Sequence, residues 1–130
     1  MYLIDTDWVI DYLKGRRAAI ELLTSLAPSG IAISLITYGE IYEGIYYGHN
    51  PQRHEQIFQA FLQLTPILLL NTSILRRFAS IRGYLRASGQ LIGDADLLIA
   101  ATALVHHCTL VTQNTRHFSR VPDLQIHTVR

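Results

Sequence analysis

The stretch from Gly93 to Ala103, GDADLLIAATA, decides how the rest of the chain is read. Two carboxylates, Asp94 and Asp96, open a helical segment whose continuation, Leu97–Val105, is apolar or small on nearly every side. Such a helix is buried on most of its faces. Shortly after it comes CTLVT (108–112), an apolar run of strand length. A buried helix feeding a buried strand is the repeating unit of a parallel sheet covered by helices on both sides.

Working outward, the same unit recurs. MYLID (1–5) is an apolar run ended by an acid, and TDWVIDYLKG (6–15) carries Trp8, Val9, Tyr12 and Leu13 at helical spacing before Gly15. A second helix fits Arg16–Leu26, APSG breaks it, and IAIS (31–34) is a short buried strand whose Ser34 caps LITYGEIYEGIYYG (35–48). Pro51 starts a helix over Gln52–Leu64, Pro66 leads ILLL (67–70), and Asn71 or Thr72 caps a helix running to about Ser88. Beyond CTLVT, QNTRHFSRVPD (113–123) reads as a loop and LQIHTV (124–129) as a last strand with period-2 alternation. The pattern predicts one domain over residues 1–130, an α/β sandwich of three layers with a central, mostly parallel sheet of about five strands.

Composition narrows the function classes. Hydrophobic residues make up 49% of the 130 and charged residues only 16%, so an apolar face covered by an oligomeric or other partner is expected. The net charge of +1 conceals ten arginines against a single lysine, Lys14, and arginine is the better fork for phosphate or carboxylate. Cys108 is the only cysteine, which excludes an internal disulfide and a cysteine-based zinc site. No signal peptide and no run of membrane-spanning length is present, so a soluble cytoplasmic protein is expected.

In a parallel sheet the chemistry sits at the carboxyl ends of the strands. That selects Asp5 after the first strand, Asn114 after the LVT strand, and Asp94 and Asp96 at the mouth of the helix leading into that strand. Capping alone can account for an acid at a helix N-terminus. A buried group of unpaired acids, however, is prohibitively costly unless a cation joins it. On the helix after IAIS, Glu40 has Ile36 and Gly44 at i−4 and i+4, a small apolar face rather than a solvated one. Glu43 lies on the same side, and spacing does not choose between the two. Oxygen-only ligands suit Mg²⁺, or Mn²⁺ in its place, with phosphate completing the sphere.

The segments YLIDTD (2–7), TYGEIYEG (37–44), IGDADLLIAATAL (92–104) and LVTQNTRHF (110–118) resemble the PIN-domain ribonucleases, specifically the VapC-type toxins of toxin–antitoxin pairs. The likeness spans essentially the whole chain, with the four motifs in the family's order. It implies a PIN-like fold and a Mg²⁺-dependent endoribonuclease that hydrolyses RNA phosphodiesters to 5′-phosphate and 3′-hydroxyl ends. Carried over by position, it makes Asp5 and Asp96 the principal metal ligands and Glu40, rather than Glu43, the third acid, acting directly or through water. Asp94 becomes an auxiliary acid or a cap. Asn114 stands where many relatives carry a fourth acid, so that position lacks a charge. The resemblance also brings two partners, a second copy of the chain and a VapB-type antitoxin whose arginines enter the acidic site.

Several further residues carry both a chemical and a structural reading. Thr6 and Thr112, beside Asp5 and Asn114, can hydrogen-bond a ligand carboxylate, or serve as ordinary strand-end threonines. The six histidines show no metal-binding spacing and read as structural or surface groups, with His117 alone near the site. Arg76, Arg77, Arg82 and Arg86 fit a solvated helix face, whereas Arg116 is the preferred RNA contact. Tyr38, Tyr42 and Tyr46, with Tyr47 alongside, suit a core stripe or an interface.

Two rival readings stand against this one. LIDTDWVI also matches the strand and DxDx[TV] motif of haloacid dehalogenase phosphatases, with Asp5 as nucleophile and Asp7 as acid/base. That chemistry needs a downstream lysine, and the only lysine is Lys14, within one helix of the motif. A catalytically silent domain that only binds RNA or protein is disfavoured because Asp5, Glu40 and Asp96 are all present.

Overall fold

The computed structural model describes residues 1–128. Four strands, β1 (Tyr2–Ile4), β2 (Ile31–Ser34), β3 (Ile67–Leu68) and β4 (Thr109–Val111), form a sheet in the order β3-β2-β1-β4, every pair parallel. Helices α1 (Thr6–Leu13) and α2 (Arg17–Leu26) connect β1 to β2, α3 (Leu35–Tyr46) and α4 (Pro51–Leu62) connect β2 to β3, and α5 (Thr72–Ala87) and α6 (Asp94–Val105) lead to β4. A short helix, α7 (Thr115–Phe118), follows β4.

The strands are short and apolar because both faces are covered. Leu3, Ala32 and Leu110 point into one core with α5, α6 and α7, where Ile74, Leu85, Leu97 and Phe118 pack. Their neighbours Ile4, Ile33 and Val111 point into the other, against Val9, Leu23, Ile41 and Phe58 of α1 to α4. Alternation along each strand thus builds the three layers. Helix α6 is buried over most of its surface, and Ala100, Ala101 and Ala103 are wholly covered.

The caps follow local chemistry. Ser34 Oγ accepts from Thr37 N at 3.0 Å, and Asn71, not Thr72, holds the start of α5 through Oδ1 and Ile74 N at 2.8 Å. Three expectations need correction. The loop after β4 contains α7, because Phe118 is wholly buried and draws the chain back onto the core. The predicted last strand reduces, within the described residues, to one parallel bridge between Leu110 and Ile126, so the sheet has four strands and a bridge instead of five. Asp123, at a positive φ of 67°, turns the chain just before it, so it reaches β4 only at Gln125 and His127. Val129 of that prediction lies outside the described residues. Finally, α4 ends at Leu62, short of Leu64. Among the described residues no helix is long and apolar enough to cross a membrane.

Order β3-β2-β1-β4 reverses direction at β1, since β2 lies on one side of it and β4 on the other. The crevice at the carboxyl ends of β1 and β4 is therefore the place where ligands bind in such sheets.

Candidate active site

Asp5 occupies that crevice. It is the first residue after β1 and the N-cap of α1, where its Oδ1 accepts from Thr6 N at 2.8 Å. Its Oδ2 accepts from the Thr112 hydroxyl at 2.7 Å, which ties the end of β1 to the end of β4. The residue is only 5% exposed. Burial first, and then the neighbouring charge of Asp7, push its carboxyl from 3.8 up to about 7, with a smaller push from Asp96. The bonds from Thr112 and Thr6 pull the other way without prevailing. No lysine or arginine is paired with Asp5 among the described residues.

Asp7 is a member of this cluster that the sequence reading used only for the phosphatase rival. Its carboxylate accepts from Trp8 N at 2.7 Å and from Gln113 N at 2.9 Å, so it fastens α1 to the loop after β4. Burial raises its pKa as well, against those two bonds. The two-residue spacing of DTD was visible in the sequence; that Asp7 would reach across to Gln113 was not.

Glu40 arrives from α3. Its Oε1 accepts from the Thr6 hydroxyl at 2.6 Å, and Thr6 Oγ1 stands 3.0 Å from Thr37 Oγ1, which in turn lies 3.3 Å from Ser34 Oγ. A run of three hydroxyls therefore positions this acid from beneath. Glu40 itself is exposed, which corrects the expectation of an unsolvated face: Gly39 and Gly44 leave that side of α3 open. No comparable anchor holds the exposed Glu43 among the described residues, so of the two acids Glu40 is the one tied to the end of β1 through Thr6.

Asp96 projects from the first turn of α6, with 29% of its side chain exposed, and its Oδ2 is 3.8 Å from His117 Nδ1. His117 Nδ1 also lies 3.0 Å from Asn114 Nδ2. Which of the two donates follows the tautomer of the imidazole. Asn114 N donates to Thr112 Oγ1 at 3.0 Å, so Asn114 and His117 form a polar wall beside Asp96. Asp94 behaves differently. Gly93 holds the N-cap position, and the Asp94 carboxylate, 63% exposed, pairs with Arg82 Nε at 2.9 Å. The cap reading of Asp94 is thereby corrected: the cap residue has no side chain, and Asp94 is turned towards α5. Arg116 is exposed on α7.

Among the described residues no three His, Cys, Asp or Glu side chains converge closely enough to hold one ion together. A Mg²⁺ site needs only one or two carboxylates, the rest of the sphere being water and phosphate. The donor set fits that demand. Asp5 and Asp96 both offer oxygen ligands, the charge of Asp96 adds to the upward push on Asp5, and Asp5 bears the cost of burial with no lysine or arginine paired to it among the described residues.

A parallel α/β/α sheet with carboxylates gathered at its switch point defines the class. Residues 2–124 match the model of the PIN domain, and the chain belongs to the PIN-domain family. Its relatives there are named VapC ribonucleases. It is 38% identical to Ribonuclease VapC1 of Methanocaldococcus jannaschii, over 93% of this chain and 81% of that protein. It is 36% identical to Ribonuclease VapC19 of Mycobacterium tuberculosis, over 96% of this chain and 98% of that one. Among solved structures it is similar to a chain of VapBC2 from Rickettsia felis bound to a DNA fragment from their promoter, with a TM-score of 0.92 at 27% identity, covering 99% and 98% of the two chains. Membership of this family disfavours the phosphatase reading of Asp5 and Asp7.

Proposed function

We propose that the chain is a Mg²⁺-dependent endoribonuclease, the toxin of a VapBC pair, and that Asp5 and Asp96 hold the metal. The observation that carries this is the buried Asp5 carboxylate, pushed up to about 7 by burial and by Asp7, with no lysine or arginine paired to it among the described residues. The named activity of the curated relatives supports the same reaction. When bound, a divalent ion there supplies an acidified water and positive charge on the scissile phosphate.

The chain's own residues do the rest. Thr112 and Thr6 N–H fix the Asp5 carboxylate so that it cannot swing away. Glu40, steadied by the Thr6 hydroxyl, orders water and takes up a proton at Oε1 or Oε2 on the open side of α3. Asn114 hydrogen-bonds without adding charge, and Arg116 contacts the RNA backbone. Mn²⁺ substitutes for Mg²⁺. Thr112→Val keeps the shape of that side chain and removes the donor to Asp5 and the acceptor for Asn114 N; activity is expected to fall roughly 10- to 100-fold. A pH–rate profile checks the cause, because Asp5 loses a bond that lowers its pKa and the profile must move to higher pH.

Regulation by a VapB-type antitoxin fits the surface. A cleft of about 440 Å³ lined by Ile10, Leu13, Ile41 and Ile45 runs between α1 and α3 and opens at Glu40. An apolar antitoxin segment seated there brings its arginines to the carboxylates, where they compete with the metal. The exposed Tyr46 and Tyr47, at the end of the tyrosine stripe, extend that surface, and a homodimer covers further apolar area. The test is incubation of purified, antitoxin-free protein with mixed cellular RNA. Cleavage in Mg²⁺ or Mn²⁺ that leaves 5′-phosphate ends and stops in EDTA is expected; cleavage indifferent to EDTA removes the metal from the account.

A further inference from the structure

Carboxylates that face a phosphodiester also repel it, and the phosphate backbone dominates the affinity of proteins for nucleic acid. Charges further than about 8 Å away are largely screened, so cations beside the acids must offset that repulsion. Arginines from three parts of the chain border the start of α6, the helix that carries Asp96, and the connection leading into it.

Arg82 comes from α5. It is 33% exposed, whereas Arg76 and Arg86 of the same helix are open to solvent, so the solvated face expected of these arginines does not describe Arg82. Its Nε donates to Asp94 Oδ1 at 2.9 Å, and Asp94, itself exposed, stands two residues before Asp96. That bond uses the inner nitrogen of the guanidinium. The two terminal nitrogens make no hydrogen bond among the described residues and remain for an anion. Arg120 follows α7, and its Nη1 lies 3.5 Å from Gln90 O on the connection between α5 and α6. A contact that long leaves the donors of Arg120 essentially uncommitted. Arg116, exposed on α7, precedes His117, whose Nδ1 is 3.8 Å from Asp96 Oδ2. Helices α5, α6 and α7 pack on one face of the sheet, and α1 and α3, which flank the apolar cleft, pack on the other. The arginines and that cleft therefore lie on different sides of the acids.

We infer that Arg82 and Arg120 bind phosphates of single-stranded RNA on one side of the cut, so that the strand runs from Asp5 and Asp96 across the start of α6 towards the C-terminal half of α5. The inference rests on the ribonuclease reading above. Guanidinium forks match phosphate oxygens, and Asp94 holds one fork in place without closing its outer edge. The strand then follows the face of α5 to α7 and leaves the cleft between α1 and α3 to the antitoxin segment.

The experiment measures KM, kcat and the salt dependence of KM on a single-stranded RNA oligonucleotide in Mg²⁺ for wild type, Arg82→Gln, Arg120→Gln and Arg17→Gln. Arg17, 91% exposed at the start of α2, stands beyond the far end of α1 from Asp5 and controls for the loss of one charge. Arg82→Gln and Arg120→Gln should each raise KM roughly 3- to 10-fold with kcat little changed, the mark of lost ground-state binding. Each should also make the log–log dependence of affinity on salt shallower by about 0.7. Arg17→Gln should match wild type. Arg120 has only its long contact with the protein to lose, so its variant guards against a folding defect in the first. Folded variants of Arg82 and Arg120 with wild-type KM and slope, or an equal rise of KM in all three proteins, overturn the inference while leaving the nuclease intact. A wild type that cuts no RNA overturns the ribonuclease reading and this inference with it.

Discussion

Asp5→Asn is expected to slow RNA cleavage by on the order of 1,000-fold and to make the metal-free protein more stable at pH 8. The two effects have one cause. The Asp5 carboxyl is pushed up to about 7 from 3.8, so the folded chain holds its proton where the unfolded chain has released it. Between those values the folded state binds more protons, and stability therefore falls as pH rises, the loss being complete above about 7. A shift of that size corresponds to roughly 4 kcal/mol as an upper bound. Asparagine keeps the N-cap of α1 through its one oxygen and turns an NH2 towards Thr112, whose hydroxyl must then accept where it had donated, but it carries no charge to bury. In EDTA at pH 8 its Tm should exceed that of wild type by roughly 5–10 °C, with little difference at pH 4, where both side chains are neutral. Thermal unfolding at the two pH values reads this directly; a variant equally or less stable at pH 8 contradicts the assigned cost of burying Asp5.

The second large effect arises in the core and reaches the site through packing. Phe118→Ala removes a wholly buried ring from the cluster formed with Leu97, Leu110 and Val121. Truncations of this kind cost about 3–5 kcal/mol. Phe118 is also the anchor of α7, whose first turn follows Asn114 and carries Arg116 and His117. The variant should lose roughly 10–15 °C in Tm and, at temperatures where it remains folded, cleave RNA far more slowly than its stability alone accounts for. Chemical denaturation beside single-turnover cleavage at low temperature separates the two consequences. Full activity in the folded variant shows that α7 does not position the site.

Why some of this was legible in the sequence and some was not has a physical basis. Strands buried on both faces are written as short apolar runs, and IAIS and CTLVT each match one; the all-round apolar character of Leu97–Val105 likewise matches the burial of α6. Helix α7 was not legible because four residues hold barely one turn and no periodicity can register. The last strand shows its alternation in Leu124 and Ile126, yet how many residues pair depends on the turn at Asp123. Asp5 is marked by its position at the end of an apolar run. Helical spacing alone does not separate Glu40 from Glu43; in the structure Thr6, 34 residues away in sequence, contacts Glu40, and no local periodicity encodes that contact. Asp94 resembles Asp96 in sequence, and only the position of Arg82 one helix earlier shows that it turns outward.

The central claim is that these carboxylates form a divalent-cation site, and a Mg²⁺ titration of thermal stability at pH 8 tests it most directly. A ligand that binds only the folded chain stabilises it by about 2.7 kcal/mol at 100 times its dissociation constant. Wild type should therefore gain roughly 6–10 °C as Mg²⁺ saturates, while Asp5→Asn and Asp96→Asn gain little. Equal gains in all three proteins, or none in wild type, would contradict a metal held by Asp5 and Asp96.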